Sequence, residues 1–483
     1  MRSEPIPLQC VEGRWRHGGS DTLMHVVDPA TARPIACYRA ADAADIRAAL
    51  EVTEAGFDAW RRRTALERCD ILRRAAAGLR ALAPTLAATL TREQGKPLAE
   101  AGREIEQAAQ MIEWNAEQGR RVHGASLPSR APDAVYEVRK EPIGPVAAFT
   151  PWNFPVMLSA IKLSSALAAG CSVILKPAEE TPMSAAGLVR CLHDAGVPAA
   201  ALQMLVGAPA LIASTLIESR AIRKLSLTGS TAVGRLLAEQ AGRHLKPVTL
   251  ELGGHAPAIV CEDADPVAAV RALAPMKFRN AGQICANPSR FFVHRRHHRA
   301  FTEAFVEAGR QHVVGSGLVA TSTMGPLANA RRRDAVHQLV EDAVERGAAL
   351  RCGGRACDSQ GGSAGYFYLP TVLDGVPPDA RVMQQEPFGP IAPVVPFDAL
   401  DEAIALANAL PLGLAAFGFT SSLHTKHRLC EELRAGAVGI NAVTLMQPET
   451  PFGGVFDSGF GRENGADSLD AYLTTRSIVT AHG

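Results

Sequence analysis

The chain carries almost no net charge: 50 lysines and arginines against 49 aspartates and glutamates leave +1 over 483 residues. That balance excludes the long-range field that draws a protein to nucleic acid or to an anionic bilayer, so neither is expected as a partner. Ten cysteines include no CxxC pair and no C-x2-C…H-x3-H spacing. A structural zinc site and a disulfide framework are therefore not expected, no metal is expected, and a reducing, cytoplasmic setting fits best. The first ten residues hold Glu4, Pro5 and Pro7 and lack the apolar centre of a signal peptide. One charge-free run, Pro142 to Ile161, has the length of a membrane span. Prolines at 142, 145, 151 and 155 break it and Asn153 sits at its middle, which favours a buried strand and loop. Internal repeats and low-complexity tracts are also missing, and the short GGSAG at 361–365 reads as one turn.

The length allows two or three domains. The first 120 residues read as a helical layer, with apolar positions at three-to-four spacing over Asp45–Arg63, Ala65–Arg92 and Leu98–Gly119 and with Pro97 at a start. From Val135 short apolar runs alternate with helical stretches: VAAF (146–149), SVIL (172–175), LQMLV (202–206), KLSL (224–227) and VTLEL (248–252). Such βαβα alternation predicts an α/β fold with a parallel sheet covered by helices. A second α/β unit begins at APAIV (256–260) and continues through a helix at Pro266–Arg279, then IAPVVPF (391–397) and AAFGF (415–419). The tail AYLTTRSIVTA (471–481) is β-rich and far from either unit, a candidate edge strand that invites a partner subunit.

Four places carry possible chemistry. KLSL runs into TGSTAVG, which puts Gly229, Ser230 and Gly234 at a helix start where free N–H groups could face a phosphate. The spacing is neither GxGxxG nor a P-loop, so an ordinary turn fits it as well. Lys176 and Glu179 follow the strand SVIL, where ligands sit in open α/β sheets. A carboxylate there can accept both hydroxyls of an adenosine ribose and repels a 2′-phosphate, favouring NAD over NADP; an exposed ion pair is the plainer alternative. Cys285 lies in the polar, glycine-bearing loop NAGQICANPSR, a setting that suits a reactive thiol better than a buried one. Glu251 ends an apolar strand before two glycines, as a general base or as half of a structural ion pair.

In order, FTPWNFP (149–155), KPAEETP (176–182), LTGS (227–230), ELGG (251–254), GQIC (282–285), EPFGP (386–390) and PFGG (451–454) resemble the aldehyde dehydrogenase superfamily over nearly the whole chain. The resemblance implies a Rossmann-like NAD-binding domain (1–122 and 143–252), an α/β catalytic domain (253–467) and a small β oligomerisation arm (123–142 and 468–483). A homodimer or homotetramer through that arm is implied with it. Cys285 is then the nucleophile toward a small-molecule aldehyde, and Asn153 and the Cys285 backbone N–H hold the oxyanion. Glu251 activates the water that hydrolyses the thioester, and its presence favours hydrolysis over transfer to coenzyme A. Lys162 and Glu463 match a pair that shuttles protons from that base. Cofactor contacts are implied at Thr150, Trp152, Lys176, Glu179, Gly229, Ser230, Leu252, Glu386 and Phe388.

MKFRNAGQIC (276–285), PSRFFVH (288–294) and PETPFGG (448–454) are most similar to succinate and 2-oxoglutarate semialdehyde dehydrogenases. Those enzymes often hold a distal carboxylate with an arginine eight residues after the oxyanion asparagine, and here that position is Ile161. A buried carboxylate without a cation is costly, so either Arg279 or Arg290 replaces it or the substrate is more apolar. The expectation is a pocket shifted toward an apolar or aromatic aldehyde, lined by Met157, Leu158, Ile161, Leu445 and Met446, with Arg279, Ile284 and Phe452 beside them.

Overall fold

Asp42 and Thr64 open the helical layer. Each side chain accepts N–H groups of the following turn while Asp45 and Glu67 reach back to the cap's own N–H, the reciprocal box that satisfies orphan donors. The computed structural model describes residues 4–358 and 364–481, so most of GGSAG lies outside the described residues. The layer holds four helices: α1 (Ala43–Arg61), α2 (Ala65–Ala81), α3 (Ala83–Gln94) and α4 (Leu98–Gly119). The single helix expected over 65–92 is two, because the chain turns at Leu82 and Pro84 begins a new first turn, where its missing N–H costs nothing. α3 stops at Gly95, whose φ of +101° and closeness to Pro326 (2.8 Å from an added Cβ) require glycine.

The first forty residues are not helical as expected. They form β1 (Gln9–Val11), β2 (Arg14–Arg16), β3 (Leu23–Asp28) and β4 (Arg33–Arg39), pieces too short for a helical window to separate from noise. Beyond α4 come β5 (Ala125–Leu127) and β6 (Ala134–Pro142).

The first α/β unit contains the parallel strands β7 (Val146–Phe149), β8 (Val173–Lys176), β9 (Leu202–Met204), β10 (Lys224–Thr228) and β11 (Val248–Glu251). They are connected by α5 (Pro155–Ala169), α6 (Pro182–Asp194), α7 (Pro209–Glu218) and α8 (Thr231–Arg243). Their spatial order is β9-β8-β7-β10-β11, so the winding reverses between β7 and β10 and opens a crevice at their carboxyl ends. The sheet is mixed overall, since β1 and β2 flank one side antiparallel.

The second unit runs β12 (Ala256–Val260), α9 (Pro266–Phe278), β13 (Pro288–His294), α10 (Arg295–Arg310), α11 (Ala330–Glu345), β14 (Ala349–Cys352), β15 (Thr371–Asp374), α12 (Arg381–Gln384), β16 (Ile391–Phe397), α13 (Leu400–Ala407), β17 (Leu412–Gly413), β18 (Ala415–Phe419), α14 (Leu423–Glu432) and β19 (Ala437–Ile440). Its sheet has the order β14-β15-β16-β13-β12-β18-β19. The chain then returns through β20 (Val455–Phe456), paired with β17, to β21 (Gly459–Phe460), antiparallel to β11 with Gly459 opposite Glu251. The tail strand β22 (Leu473–Ala481) pairs along its whole length with β6, in a small sheet of order β22-β6-β5. Among the described residues no helix is long and apolar enough to cross a membrane.

Candidate active site

The crevice collects residues that are far apart in sequence. Asn153 lies in the turn between β7 and α5, Ser230 caps α8 just after β10, and Glu251 is the last residue of β11. Cys285 follows a short 3-10 turn at Arg279–Gly282. In that turn Gly282 has φ +76°, and an added Cβ would stand 2.1 Å from the carbonyl oxygen of Gly389. Glycine is what lets the cysteine loop touch the EPFGP loop.

Two cavities meet here. A cleft of about 360 Å³ runs from Gly229 and Ser230 past Glu251 to Trp152, Glu386 and Phe388. A narrower cavity of about 80 Å³ is lined by Phe154, Met157, Leu158, Met276, Ile284, Leu445 and Met446, with Gln107, Arg279 and Thr444 as polar members. Asn153 and Cys285 line both. A ligand in each cavity would therefore approach the same thiol from a different side.

The electrostatics suit acid–base work. Both carboxylate oxygens of Glu251 are buried, with the Cys285 thiol and the Thr228 hydroxyl beside them. Burial, reinforced by the nearby Glu463 carboxylate, pushes its pKa up to about 7, against the pull of Cys285, Lys162 and Thr228. Burial and the adjacent Glu251 charge hold the Cys285 thiol well above its usual range. A base that accepts the thiol proton thus stands next to it. Glu463 pairs with the buried ammonium of Lys162 at 2.6 Å. The Asn153 side-chain nitrogen donates to the Gln283 carbonyl oxygen at 3.1 Å, and its second N–H remains for a ligand.

The cleft fits a dinucleotide at several points. Ser230 accepts from the Val233 N–H as the cap of α8, and Gly229 and Ser230 line the cleft where that helix begins. Trp152 and Phe388 meet edge to face with centroids 5.5 Å apart and make an aromatic wall. Burial pushes Glu386 up to about 8, and it accepts the Gly254 N–H at 3.3 Å. Lys176, the last residue of β8, pairs with Glu179 just beyond it, and neither lines the cleft. Thr150, whose hydroxyl meets Ser159 at 3.1 Å, and Leu252 are buried and do not line it.

Three expectations change on the substrate side. Ile161 and Phe452 are core residues at 1% exposure each and do not line the narrow cavity. Arg290 is buried with its guanidinium given to the carbonyl oxygens of His255 (3.0 Å), Leu406 (3.1 Å) and Ala407 (2.8 Å), so it cannot serve a substrate. Arg279 does line the cavity. Its Nη2 donates to Gln107 at 3.2 Å, its Nε is buried without a partner, and it rests over the Phe154 ring at 5.3 Å. Sequence reasoning missed Gln107, which belongs to no motif and lies 172 residues from Arg279. It also missed Phe154, although that residue stood inside the quoted FTPWNFP, and Asn329, Arg331 and Arg332 in the larger cleft.

Known proteins share this fold and much of this sequence. Residues 15–478 match the pattern of the Aldehyde dehydrogenase family. The 4-(hydroxymethyl)benzenesulfonate dehydrogenase TsaD1 of Comamonas testosteroni is 48% identical over 470 residues, 97% of either chain. The succinate-semialdehyde dehydrogenase [NADP(+)] GabD of Escherichia coli is 40% identical over 463 residues, 96% of this chain and 95% of that one. The crystal structure of succinate-semialdehyde dehydrogenase from Burkholderia pseudomallei superposes with a TM-score of 0.96 at 42% identity and full coverage of both chains. With this fold and these matches along its length, the chain belongs to the aldehyde dehydrogenase family.

Proposed function

We propose that the protein oxidises an aldehyde with an apolar, preferably aromatic, body and a distal anionic group to the carboxylic acid, using NAD. The observation that carries this reading is the meeting of two cavities at Cys285 and Asn153, with Glu251 alongside. The Cys285 thiolate adds to the aldehyde carbon, and the new oxyanion receives N–H groups from the Asn153 side chain and the Cys285 backbone. Lys176, Glu179, Ser230, Glu386 and Phe388 would hold NAD, which would supply the hydride acceptor for oxidation to the thioester level. Glu251 takes a proton from water as that water attacks the thioester, and Lys162 with Glu463 carries the charge onward.

The narrow cavity supports this substrate class. Its walls are apolar, and Arg279 is its cation, half-satisfied by Gln107. One relative is named for an aromatic sulfonate and another for a short semialdehyde carboxylate; both place an anion away from the reacting carbon. Glu179 would repel a 2′-phosphate, so NAD is preferred here, unlike the relative named for NADP(+). The chain divides as an NAD-binding domain (1–122 and 143–252), a catalytic domain (253–467) and an arm (123–142 and 468–483). The edge strand β22 joins protomers as a homodimer or homotetramer. The test is initial-rate NADH formation with 4-formylbenzenesulfonate, succinate semialdehyde and benzaldehyde. The proposal expects the first to give the highest kcat/KM and a Cys285→Ala variant to give none.

A further inference from the structure

Four buried polar side chains close to the site line neither cavity. Lys96 follows the left-handed Gly95, and its ammonium, without exposed surface, donates to the backbone oxygen of Asn153 at 2.7 Å and to Glu104 Oε2 at 2.5 Å. The other oxygen of Glu104 accepts the N–H groups of Val156 at 2.9 Å and Met157 at 3.2 Å, capping α5 from outside the helix. Glu100 accepts the Asn280 N–H at 2.9 Å, and Gln94 donates to Asn280 Oδ1 at 2.8 Å. Asn280 closes the circuit, its amide donating to the Asn153 oxygen at 3.1 Å and the Gln283 oxygen at 3.3 Å.

Ordinary packing does not ask for this set. Burying a lysine and glutamates is expensive unless every group is bonded, and an apolar replacement of similar volume often leaves a fold as stable or more so. What the set does is join two loops that must agree in position. Asn153 brings one oxyanion donor and the Cys285 backbone brings the other, from segments 132 residues apart in sequence. The second segment is strained, with the non-glycine residues Asn280 at φ +50° and Ala281 at +52°, and such backbone persists only where its surroundings fix it.

We propose that Gln94, Lys96, Glu100 and Glu104 form a positioning clamp that holds the Asn153 loop and the Cys285 loop in register for the oxyanion. This rests on the oxyanion role given to Asn153 above. None of the four is a catalytic residue; they act through Asn153 and Asn280. A misplacement of about 1 Å can cost on the order of 100-fold in rate, which sets the size of the effect.

The experiment is a double-mutant cycle on kcat with Lys96→Met and Asn153→Ala, with the KM for NAD measured beside it. Lys96→Met should lower kcat about 10- to 100-fold while the KM for NAD stays within about twofold, because the clamp does not line the cofactor cleft. Asn153→Ala should lower kcat about 100-fold or more, and the double variant should be no slower than Asn153→Ala alone. Multiplying effects, or an unchanged kcat in Lys96→Met, would overturn the clamp. Wild-type kcat in Asn153→Ala would instead overturn the oxyanion reading beneath it. Should Lys96→Met fail to fold, Gln94→Met is close in shape, adds no charge, and carries the same expectation of a lowered kcat that adds nothing to Asn153→Ala.

Discussion

Lys162 Nζ lies 2.6 Å from Glu463 Oε1 with both side chains withdrawn from solvent, and this pair acts on Glu251 with opposite signs. The Glu463 charge raises the Glu251 pKa and the Lys162 charge lowers it. Glu251 works as a base only when ionised, so thioester hydrolysis should fall away below about pH 7. Glu463→Gln should move that acidic limb of the kcat–pH profile to lower pH, and Lys162→Met should move it to higher pH. Shifts in the same direction would contradict the arrangement.

The same carboxyl should cost stability. Glu251 is raised from 4.5 to about 7 on folding, so the unfolded chain ionises first and favours unfolding as pH rises between those values. Below about pH 4.5 the group is neutral in both states and contributes nothing. Glu251→Gln should therefore raise Tm at pH 8, by up to about 3 kcal/mol in stability, and change little near pH 4. Thermal unfolding at the two pH values checks the sign.

Arg279 should decide between substrates. Arg279→Met removes a charged hydrogen bond worth about 1.5–3 kcal/mol to an anionic substrate, so kcat/KM for 4-formylbenzenesulfonate should fall roughly 10- to 100-fold. Benzaldehyde has nothing to offer the guanidinium, and its kcat/KM should change by less than about fivefold. Equal losses for both would mean that Arg279 only packs against Phe154.

Glu179 should set cofactor choice. Replacing it with serine removes the carboxylate that repels a 2′-phosphate, and the ratio of kcat/KM for NADP over NAD should rise about tenfold or more. An unchanged ratio would place the discrimination elsewhere in the cleft.

Much of the fold was legible because buried parallel strands are short uninterrupted apolar runs. VAAF, APAIV, IAPVVPF and AAFGF are strands over the residues the sequence marked. The first forty residues differ because strands of three to seven residues are too short for a helical window to register, and the helix over 65–92 because a proline starts helices as readily as it ends them. Within the site, Asn153, Glu251 and Cys285 were legible as motif residues and do converge on one cleft. Ile161 was not, for a physical reason: every residue of α5 is buried, so spacing along it cannot say which face meets the substrate. Gln107, Lys96 and Glu104 matter through contacts across the fold, which leave no local pattern to read.

The most direct test of the account is a rapid-mixing measurement on Glu251→Gln with NAD and 4-formylbenzenesulfonate, followed by mass analysis of the peptide bearing Cys285. The account predicts a burst near one NADH per active site, then a stall, with the acyl group left on Cys285. Steady turnover at the wild-type rate, or a burst with Cys285 unmodified, would contradict it.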